Sequence, residues 1–527
     1  MQPTIDKPSC VIVIRTLALA IAAALASLGV AHLAFQPPSL EGRTVTYAVQ
    51  ASDVTPLGRV ALSRPDGQVE QSGVLPLLSG PDAFVARIAL IRAAKVAVDV
   101  QYYIWQRDDT GLILLDELRK AAERGVRVRL LLDDNGITGL DGDLAALAAM
   151  PGVEVRLFNP FILRTIKQLG YAFDFVRLNR RMHNKSLTAD GAVGILGGRN
   201  IGDVYFGFGS GIQFIDTDVM VTGAVAGAIG ADFDRYWHSR SAHPLDRVVS
   251  GSSASALRDL VQEAHTAANS PEGKLYAERL ESSPFVGQLT GGKLAFEWTK
   301  VYLVSDDPAK GLGEAKEKDL LFPQLMNLLS HPSRSIDLVS AYFVPGRQFT
   351  AKLEELARNG VRVRILTNSQ AATDVTVVHS AYVKYRAELL QAGVELYELK
   401  PTFGTAREPD TVSPSGSSRS SLHSKTLAVD KTRIFVGSFN FDLRSLLLNT
   451  EMGVVIDSPI LAGSLSRAFS ERFPAASYIP ALNGGEIVWQ EIAADGSVVR
   501  HGQEPETSFF SRFSLTLLGL LPIEWLL

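Results

Sequence analysis

One set of polar residues occurs twice in this chain with the same spacing. The first copy is HNKSLTADGAVGILGGRN and the second is HSKTLAVDKTRIFVGSFN. Five residue types occupy identical offsets in the two copies: His183, Lys185, Asp190, Gly197 and Asn200, against His423, Lys425, Asp430, Gly437 and Asn440. A single His-x-Lys is a weak signal, whereas two copies in register indicate one site built from both.

These residue types suit the chemistry of a phosphate ester. Side chains two positions apart share one face of a strand, so each histidine is expected beside its lysine. Lys185 and Lys425 would supply charge to the non-bridging oxygens, and Asn200 and Asn440 would donate amide hydrogen bonds to them. One histidine could attack phosphorus while the other protonates the leaving alkoxide.

Each histidine also needs an acid that fixes its tautomer. An acidic residue follows both copies at a similar place, Asp218 in FIDTDVMV and Glu451 in LLNTEMGVV. We assign Asp218 to His183 and Glu451 to His423, where Glu451 would favour the protonated imidazole.

Asp190 and Asp430 complete the set of candidate catalytic residues. Asp190 precedes Gly191, and Asp-Gly is a strong hairpin signal. A place at a hairpin corner favours anchoring of the motif loop over contact with phosphate.

We expect no metal ion and no cofactor. Asp133, Asp134 and Asn135 end a strand, but such residues are common in turns, and no matching carboxylate cluster accompanies them. The only cysteine is Cys10, which excludes a disulfide framework and a cysteine-based zinc site.

The elements around the motifs are repeated too. VRVRLLLD and VRVRILTN each follow a helical pattern that ends in glycine, at Gly125 and Gly360, and an alternating strand precedes each helix. Strand, helix and strand with a short return predict a parallel sheet covered by helices. The chain is therefore read as two similar α/β halves, residues 81–306 and 318–478, related by a pseudo-two-fold axis at which the motifs meet.

The remaining segments are read as connections and ends. Residues 36–80 contain Pro and Gly and are expected to form a stalk, and DDPAKGLGEAKEKD, from Asp306, a solvated connector. GTAREPDTVSPSGSSRSS, from Gly404, is read as a mobile loop. The tail, residues 479–527, ends in FFSRFSLTLLGLLPIEWLL, which either lies in a membrane interface or packs on the protein.

The N-terminus predicts export. Within residues 1–35, LALAIAAALASLGVAHLAF is long enough for a membrane anchor, although the small residues near its end also permit signal cleavage. Lys7 and Arg15 stand on its N-terminal side, and positive charge stays in the cytoplasm. Both interpretations place the two halves outside the cytoplasm, which for a bacterial inner-membrane protein is the periplasm.

Charge argues against a nucleic-acid partner. The formal net charge is −4, whereas a phosphate backbone usually requires a basic face. Arg177, Arg180, Arg181 and Lys185 form one basic cluster near a motif, which could attract anionic lipid headgroups or could be a solvated loop.

His-x-Lys-x4-Asp followed by Gly-Gly/Ser-x-Asn, twice in one chain, resembles the phospholipase D superfamily. The segments VQYYIW, VRVRLLLDDN, VEVRLFNP, RMHNKS and GGRNIGDVYFG are similar to its bacterial cardiolipin synthase branch, especially the C type. The resemblance implies two phospholipase D-like α/β/α sandwich halves and metal-independent transfer of a phosphatidyl group between glycerol-type alcohols. It also implies that His183 is the nucleophile and His423 the general acid.

One position departs from the family pattern. The usual Gly-Ser is present at Gly437-Ser438 but is replaced by Gly197-Gly198, so the hydroxyl of Ser438 is expected to support only one side of the site. The neighbouring Arg199 has no role that the sequence suggests.

The leading hypothesis is a phosphatidyltransferase that forms cardiolipin through a phosphohistidine. Its partners would be a membrane and two phospholipids, phosphatidylglycerol and a second lipid for which phosphatidylethanolamine is a candidate. A phospholipase D-type hydrolase shares the covalent intermediate, so the motifs do not separate the two. A phosphodiesterase acting on nucleic acid and a silent scaffold are the more distant alternatives.

Overall fold

The structure is a computed structural model that describes residues 7–63, 70–209, 212–251, 253–283, 285–329, 331–401, 420–493 and 495–527. The loop expected from Gly404 lies almost wholly outside these residues.

Most strands of the described chain join one long sheet. The strands of the first half and its borders are β1 (Gln71–Leu77), β2 (Ala97–Ile104), β3 (Arg127–Gly136), β4 (Val153–Phe158), β5 (Ser186–Ala189), β6 (Val193–Gly197), β7 (Gln213–Ile215), β8 (Asp218–Gly223), β9 (Ala242–Pro244) and β10 (Glu297–Ser305). Those of the second half are β11 (Ser335–Ser340), β12 (Arg362–Asn368), β13 (Glu395–Leu399), β14 (Ser420–Leu422), β15 (Lys425–Val429), β16 (Arg433–Gly437), β17 (Met452–Ile456), β18 (Ser477–Asn483), β19 (Glu486–Ile492) and β20 (Val498–His501).

Helices cover both faces of this sheet. The N-terminal and first-half helices are α1 (Lys7–Ala34), α2 (Pro56–Leu62), α3 (Gly80–Ala93), α4 (Asp109–Glu123), α5 (Asp141–Ala148), α6 (Gly170–Leu178), α7 (Asp203–Phe206), α8 (Ala224–Trp237), α9 (Ala256–Ala268), α10 (Pro271–Ser282) and α11 (Phe285–Thr290). The later helices are α12 (Leu321–Leu329), α13 (Gly346–Arg358), α14 (Thr376–Gln391), α15 (Leu443–Leu447), α16 (Pro459–Glu471), α17 (Phe473–Ala476) and α18 (Phe509–Gly519).

The two halves repeat the same pairings, which confirms the predicted duplication. Strands β2, β3 and β4 are parallel, and β5, β6 and β8 continue the sheet antiparallel from β2. Strands β11, β12, β13, β15, β16 and β17 have the same arrangement. As predicted, a glycine follows α4 and α13: Gly125 has φ +85° and Gly360 has φ +87°, a backbone conformation that a helix end commonly requires.

The inner faces of the two half-sheets pack against each other. Leu196 of β6 and two valines of β8 share a buried cluster with aliphatic side chains of β16 and β17, to which α8 and α16 also contribute. The second arginine of each VRVR repeat is buried and ion-paired: Arg129 Nε lies 2.7 Å from Asp99, and Arg364 Nε lies 2.7 Å from Asp337. Loss of one partner from such a pair costs about 3–5 kcal/mol because the other charge stays buried, so these pairs lock the strands that precede the site.

The expected stalk differs from the structure. Within residues 36–80, β1 is a strand of the sheet: it pairs with β8 on one side and with the start of β10 on the other. The second part of β10 then pairs with β17, so β10 crosses from one half to the other. The Pro and Gly content suggested a linker, but Gly73 is needed where β1 passes Phe296 and Thr222, because a Cβ there would approach both within 3 Å.

The connector between the halves is also less solvated than expected. Asp306 and Lys310 are buried and ion-paired at 2.9 Å. Asp306 accepts hydrogen bonds from the backbone N–H groups of Leu321 and Glu451, at 2.7 and 2.9 Å. The connector therefore fixes the backbone of Glu451, one of the predicted site residues.

The two ends of the chain carry the exposed apolar segments. Within α1, the span Ile12–Ala34 has a mean hydropathy of 2.1 and is not buried. This span is long and apolar enough to cross a membrane. At the other end, β18, β19 and β20 extend the sheet beyond the predicted limit at 478. Helix α18 packs on α14 and buries Leu515, but much of its apolar surface stays exposed.

Candidate active site

The first motif histidine is held by the second half of the chain. The N–H of His183 donates to the carbonyl of Thr450 at 2.8 Å, and the N–H of Thr450 donates to the carbonyl of Arg181 at 2.9 Å. This short parallel bridge ends immediately before Glu451.

The second motif histidine is held in the same way by the first half. Strand β14 runs parallel to β7, and the N–H of His423 donates to the carbonyl of Ile215 at 2.8 Å. This pairing ends immediately before Asp216. Each histidine is thus fixed by its backbone next to an acid of the opposite half.

Those acids bind the imidazole rings. His183 Nδ1 lies 2.8 Å from Oε2 of Glu451, and His423 Nδ1 lies 2.5 Å from Oδ2 of Asp216. A carboxylate accepts, so each Nδ1 carries a proton and leaves Nε2 of the neutral ring with a free lone pair. Each histidine is therefore bound to an acid that the other half of the chain supplies.

This exchange corrects both assignments of an orienting acid. Glu451 serves His183 instead of His423, and the acid of His423 is Asp216 instead of Asp218. Strand register gives the reason: Asp218 pairs opposite Gly197, as Gly453 does opposite Gly437, so the residue equivalent to Glu451 lies two positions earlier, at Asp216.

Asp218 has a structural role. Its carboxylate lies 2.8 Å from Arg87 and 3.4 Å from Arg199, and all three side chains are buried. The guanidinium of Arg199 also donates to the backbone carbonyls of Leu77 and Leu78, which joins β1 and its end to the motif.

Asp190 and Asp430 anchor backbone, which confirms the predicted role as loop anchors and corrects their place among the catalytic candidates. Asp190 accepts from the N–H groups of Lys95, Val96 and Ala97 at 2.8–3.1 Å. Asp430 makes the equivalent bonds to residues 333–335, at 2.7–3.2 Å. Each aspartate accepts from the N–H groups of the first residue of the first parallel strand in its half and of the two residues before it.

The two motif lysines are buried close to the histidines. Lys185 Nζ donates to the carbonyl of His183 at 2.6 Å; Lys425 Nζ donates to the carbonyl of His423 and lies 3.0 Å from its Nδ1. Both side chains are 1% exposed, and within the described part of the chain neither ammonium forms an ion pair. Two buried cations without a paired carboxylate favour binding of an anion.

The predicted amide and hydroxyl contacts differ between the copies. Asn200 is engaged by the protein: Nδ2 donates to the hydroxyl of Tyr205 at 3.0 Å and Oδ1 accepts from the N–H of Ile104 at 3.1 Å, which leaves one N–H for the predicted contact with phosphate. Asn440 Oδ1 is buried and has no hydrogen-bond partner among the described residues. Ser438 donates to Glu451 at 2.5 Å, whereas at Gly198 any Cβ would overlap the carboxylate of Asp216.

Burial and charge make the two acid–histidine pairs unequal. Burial raises the pKa of Glu451 to about 7, against the attraction of Lys185. Burial also favours the protonated form of Asp216, but the interactions with His423 and Lys425 hold its pKa below the usual range. The pKa of His183 falls well below its usual value because of burial and of Lys185, whereas the fall in the pKa of His423, caused by burial and Lys425, is opposed by Asp216.

Aromatic rings complete the surroundings. The ring of Tyr103 meets His183 edge-on at 4.9 Å, and those of Tyr205 and Phe214 lie 5.3 and 5.0 Å from His423. Nothing in the sequence pointed to Tyr205, which reaches across to the histidine of the other half.

Two other groups of charged residues are used within the fold. Asp133 is buried against Arg181 at 2.8 Å, and Arg177 pairs with Asp174 at 2.6 Å, so two of the four residues of the predicted basic cluster are neutralised locally. Across the described ranges, no group of three His, Cys, Asp or Glu residues could hold a metal ion.

Comparison with known proteins identifies the family. The family model described as "Cardiolipin synthase, PLD-like domain" matches twice, at residues 88–237 and 325–473. The chain is 47% identical over 458 residues to "Cardiolipin synthase C" of Escherichia coli (strain K12), which covers 87% of this chain and 96% of that protein. The chain belongs to the cardiolipin synthase branch of the phospholipase D superfamily.

More distant proteins agree with this membership. A "Cardiolipin synthase" of Staphylococcus aureus (strain Mu50 / ATCC 700699) is 29% identical over 76% of this chain and 66% of that protein. The solved structure of phosphatidylserine synthase from Haemophilus influenzae Rd KW20 has a TM-score of 0.54 at 17% identity, covering 86% of this chain and 95% of that one, and shares the fold. The chain is a phosphatidyltransferase of the phospholipase D superfamily.

The unequal pairs predict the pH dependence of this cardiolipin synthase relative. The kcat/KM profile should rise as Glu451 ionises, with a pKa of about 7. It should fall as Lys185, whose pKa burial lowers to about 7, and His423, whose pKa burial and Lys425 lower, lose their protons. The profile is therefore a narrow bell near neutrality. In the kcat profile the alkaline limb should lie at higher pH, because bound phosphate stabilises the Lys185 ammonium.

Glu451→Gln tests the assignment. The amide still accepts from His183 Nδ1 but does not ionise, so the acid limb should disappear, and the alkaline limb should move to lower pH because Lys185 loses an attractive charge. We expect kcat/KM to fall by up to about 10⁴-fold, the loss in kcat that follows when the aspartate of a Ser-His-Asp triad is replaced by asparagine. An unchanged acid limb in this variant would mean that another group controls it.

Proposed function

We propose that this protein forms cardiolipin by moving a phosphatidyl group from a second phospholipid to a hydroxyl of phosphatidylglycerol. The observation that carries the proposal is the pair of exchanged histidine–acid contacts around two buried lysines that lack carboxylate partners. This arrangement suits one phosphodiester with a nucleophile on one side and an acid on the other. The similarity to a protein named cardiolipin synthase C supports the choice of lipid.

The reaction would proceed in two balanced steps. In the first, Nε2 of His183 attacks phosphorus, the bond to the headgroup oxygen breaks, and His423 gives that oxygen its proton. In the second, His423 takes the proton of the phosphatidylglycerol hydroxyl, whose oxygen attacks phosphorus and releases His183. Lys185 and Lys425 would stabilise the charge on the non-bridging oxygens in both steps.

The surroundings of the histidines support His183 as the nucleophile. A nucleophile must be neutral, and the pKa of His183 is held well below its usual value by burial and by Lys185. An acid must carry a proton at the start, and the ionised Asp216 opposes the fall in the pKa of His423. The asymmetry therefore agrees with the division of labour that the family resemblance implies.

A mixed-lipid assay separates transfer from hydrolysis. The full-length chain, reconstituted with phosphatidylglycerol and phosphatidylethanolamine of different isotopic composition, should yield cardiolipin whose two phosphatidyl groups are traced by mass spectrometry. The alcohol released, glycerol or ethanolamine, identifies the donor.

The controls for this assay are two histidine variants. His183→Ala should abolish turnover, whereas His265→Ala, an exposed histidine of α9, should leave it unchanged. Phosphatidic acid as the main product would contradict transfer and favour the hydrolase.

A trapping experiment tests which histidine attacks. With a donor that carries p-nitrophenol, a leaving group that departs without an acid, His423→Ala should accumulate a phosphoenzyme and release a burst of nitrophenol. Peptide mapping should place the phosphoryl group on His183, and His183→Ala should form none. Phosphate on His423 in the unsubstituted protein would reverse the two roles.

We also propose that the two halves face the periplasm. Arg15 lies in the first turn of the span Ile12–Ala34, and Lys7 precedes the span, so the positive-inside rule keeps its N-terminus in the cytoplasm. A reporter that works only in the periplasm should be active after Leu527. Activity of a cytoplasm-only reporter at that position would overturn this orientation.

A further inference from the structure

Helix α6 lies where the candidate membrane helix ends. His32 Nδ1 is 2.9 Å from the carbonyl of Phe173, and the rings of Phe35 and Phe173 stack with centroids 5.4 Å apart. Because Ile12–Ala34 can cross a bilayer, the contact at its end places α6 at the level of the lipid headgroups.

The surface around α6 is apolar although it is exposed. Leu169 is 53% exposed, Phe175 42% and Val176 67%. Isolated exposed apolar residues are ordinary, but a group of them beside the end of an anchor is typical of a surface that meets lipid.

The same helix borders the nucleophile. Tyr171 of α6 donates to Oδ1 of Asn135 at 3.3 Å, and Nδ2 of Asn135 donates to the hydroxyl of Tyr103 at 3.4 Å. The ring of Tyr103 contacts His183. Helix α6 therefore connects the anchor, at Phe173, to a series of side-chain contacts that runs from Tyr171 to the imidazole of His183.

The C-terminal segment joins α6 at this border. The guanidinium of Arg444 donates to Oδ1 of Asn179, the residue after α6, at 3.1 Å and to the carbonyl of Leu526 at 3.0 Å. Residues 520–527 expose further apolar side chains, with Leu520 77% and Trp525 45% exposed. Glu524 bonds to Lys384 and Tyr385 of α14 at 2.6 Å, which fixes this segment to the second half.

We propose that α6 and residues 520–527 form a platform that rests in the bilayer surface, so that the site takes its lipids directly from the membrane. The platform is built from both halves, as the site is, and its parts flank the His183 side. Trp525 suits the headgroup level, where tryptophan is enriched. A phospholipid would then withdraw only its headgroup and phosphate to reach His183. That last step rests on the proposed function, whereas contact of the platform with lipid does not.

Site-specific quenching tests the contact without turnover. In full-length protein with Cys10→Ser, a bimane label is placed by Val176→Cys, Leu520→Cys or Ile460→Cys, and each variant is reconstituted in phosphatidylglycerol–phosphatidylethanolamine vesicles with or without brominated acyl chains. Ile460 is the matched control: it is 66% exposed but follows the end of β17 that is remote from Glu451.

Brominated lipid should quench the labels at 176 and 520 and leave the label at 460 bright. The label at 520 decides, because it is not next to the anchor. A bright label at 520, or equal quenching at 460, overturns the proposal. So does efficient cross-linking between copies through position 176 with no quenching there, since a second copy would then cover the surface.

A turnover measurement separates this proposal from the proposed function. Val176→Asp and Leu520→Asp should each lower turnover of vesicle lipid by about 10-fold and leave turnover of monomeric short-chain phosphatidylglycerol unchanged, while Ile460→Asp should affect neither. An equal loss on both substrates overturns the platform. Quenching at 520 in a protein that forms no cardiolipin would retain the platform and refute only the proposed function.

Discussion

Two carboxylates exchanged between the halves hold the site together. His183 depends on Glu451 and His423 on Asp216, so neither imidazole has its tautomer fixed by its own half. The acids, the lysines and the rings are all buried, and burial of so many polar groups is tolerated only where each is close to a partner or to the expected anion. The crossing strand β10 and the packed inner faces of the sheets keep the halves at the distance that this exchange requires.

The segments between the repeated units serve the same requirement. Strand β1 closes the first half against β10, and Asp306 fixes the backbone of Glu451 from the connector. The chain is therefore not two domains on a tether. The pieces that lie outside the duplication set the relative position of the copies, and this explains why β1 and the start of the connector are packed in spite of their linker-like composition.

The duplication, the α/β halves and the motif histidines and lysines could be read from the sequence because spacing and alternation are local properties. The acids could not be placed in the same way. Asp216 and Asp218 lie two residues apart in an alternating stretch, so periodicity favours neither, and the register that decides between them is a pairing with Gly197. That each acid serves the opposite histidine is a tertiary fact without a local signal. The role of Arg444, which joins the end of α6 to the C-terminal residues, depends on contacts between distant segments. It could not be predicted from the sequence for the same reason.

Gly198 shows how far the two copies have diverged. Ser438 has a hydroxyl that supports Glu451, whereas the position of Asp216 leaves no volume for a side chain at 198. The shorter acid must approach its histidine through the space that a serine would fill. If the second motif replaced the first, the serine side chain at position 198 would push the Asp216 carboxylate away from His423, although every catalytic residue would be preserved. Since the duplication, the repeats have ceased to be interchangeable parts, and recombination between them would be selected against even where their sequences still match.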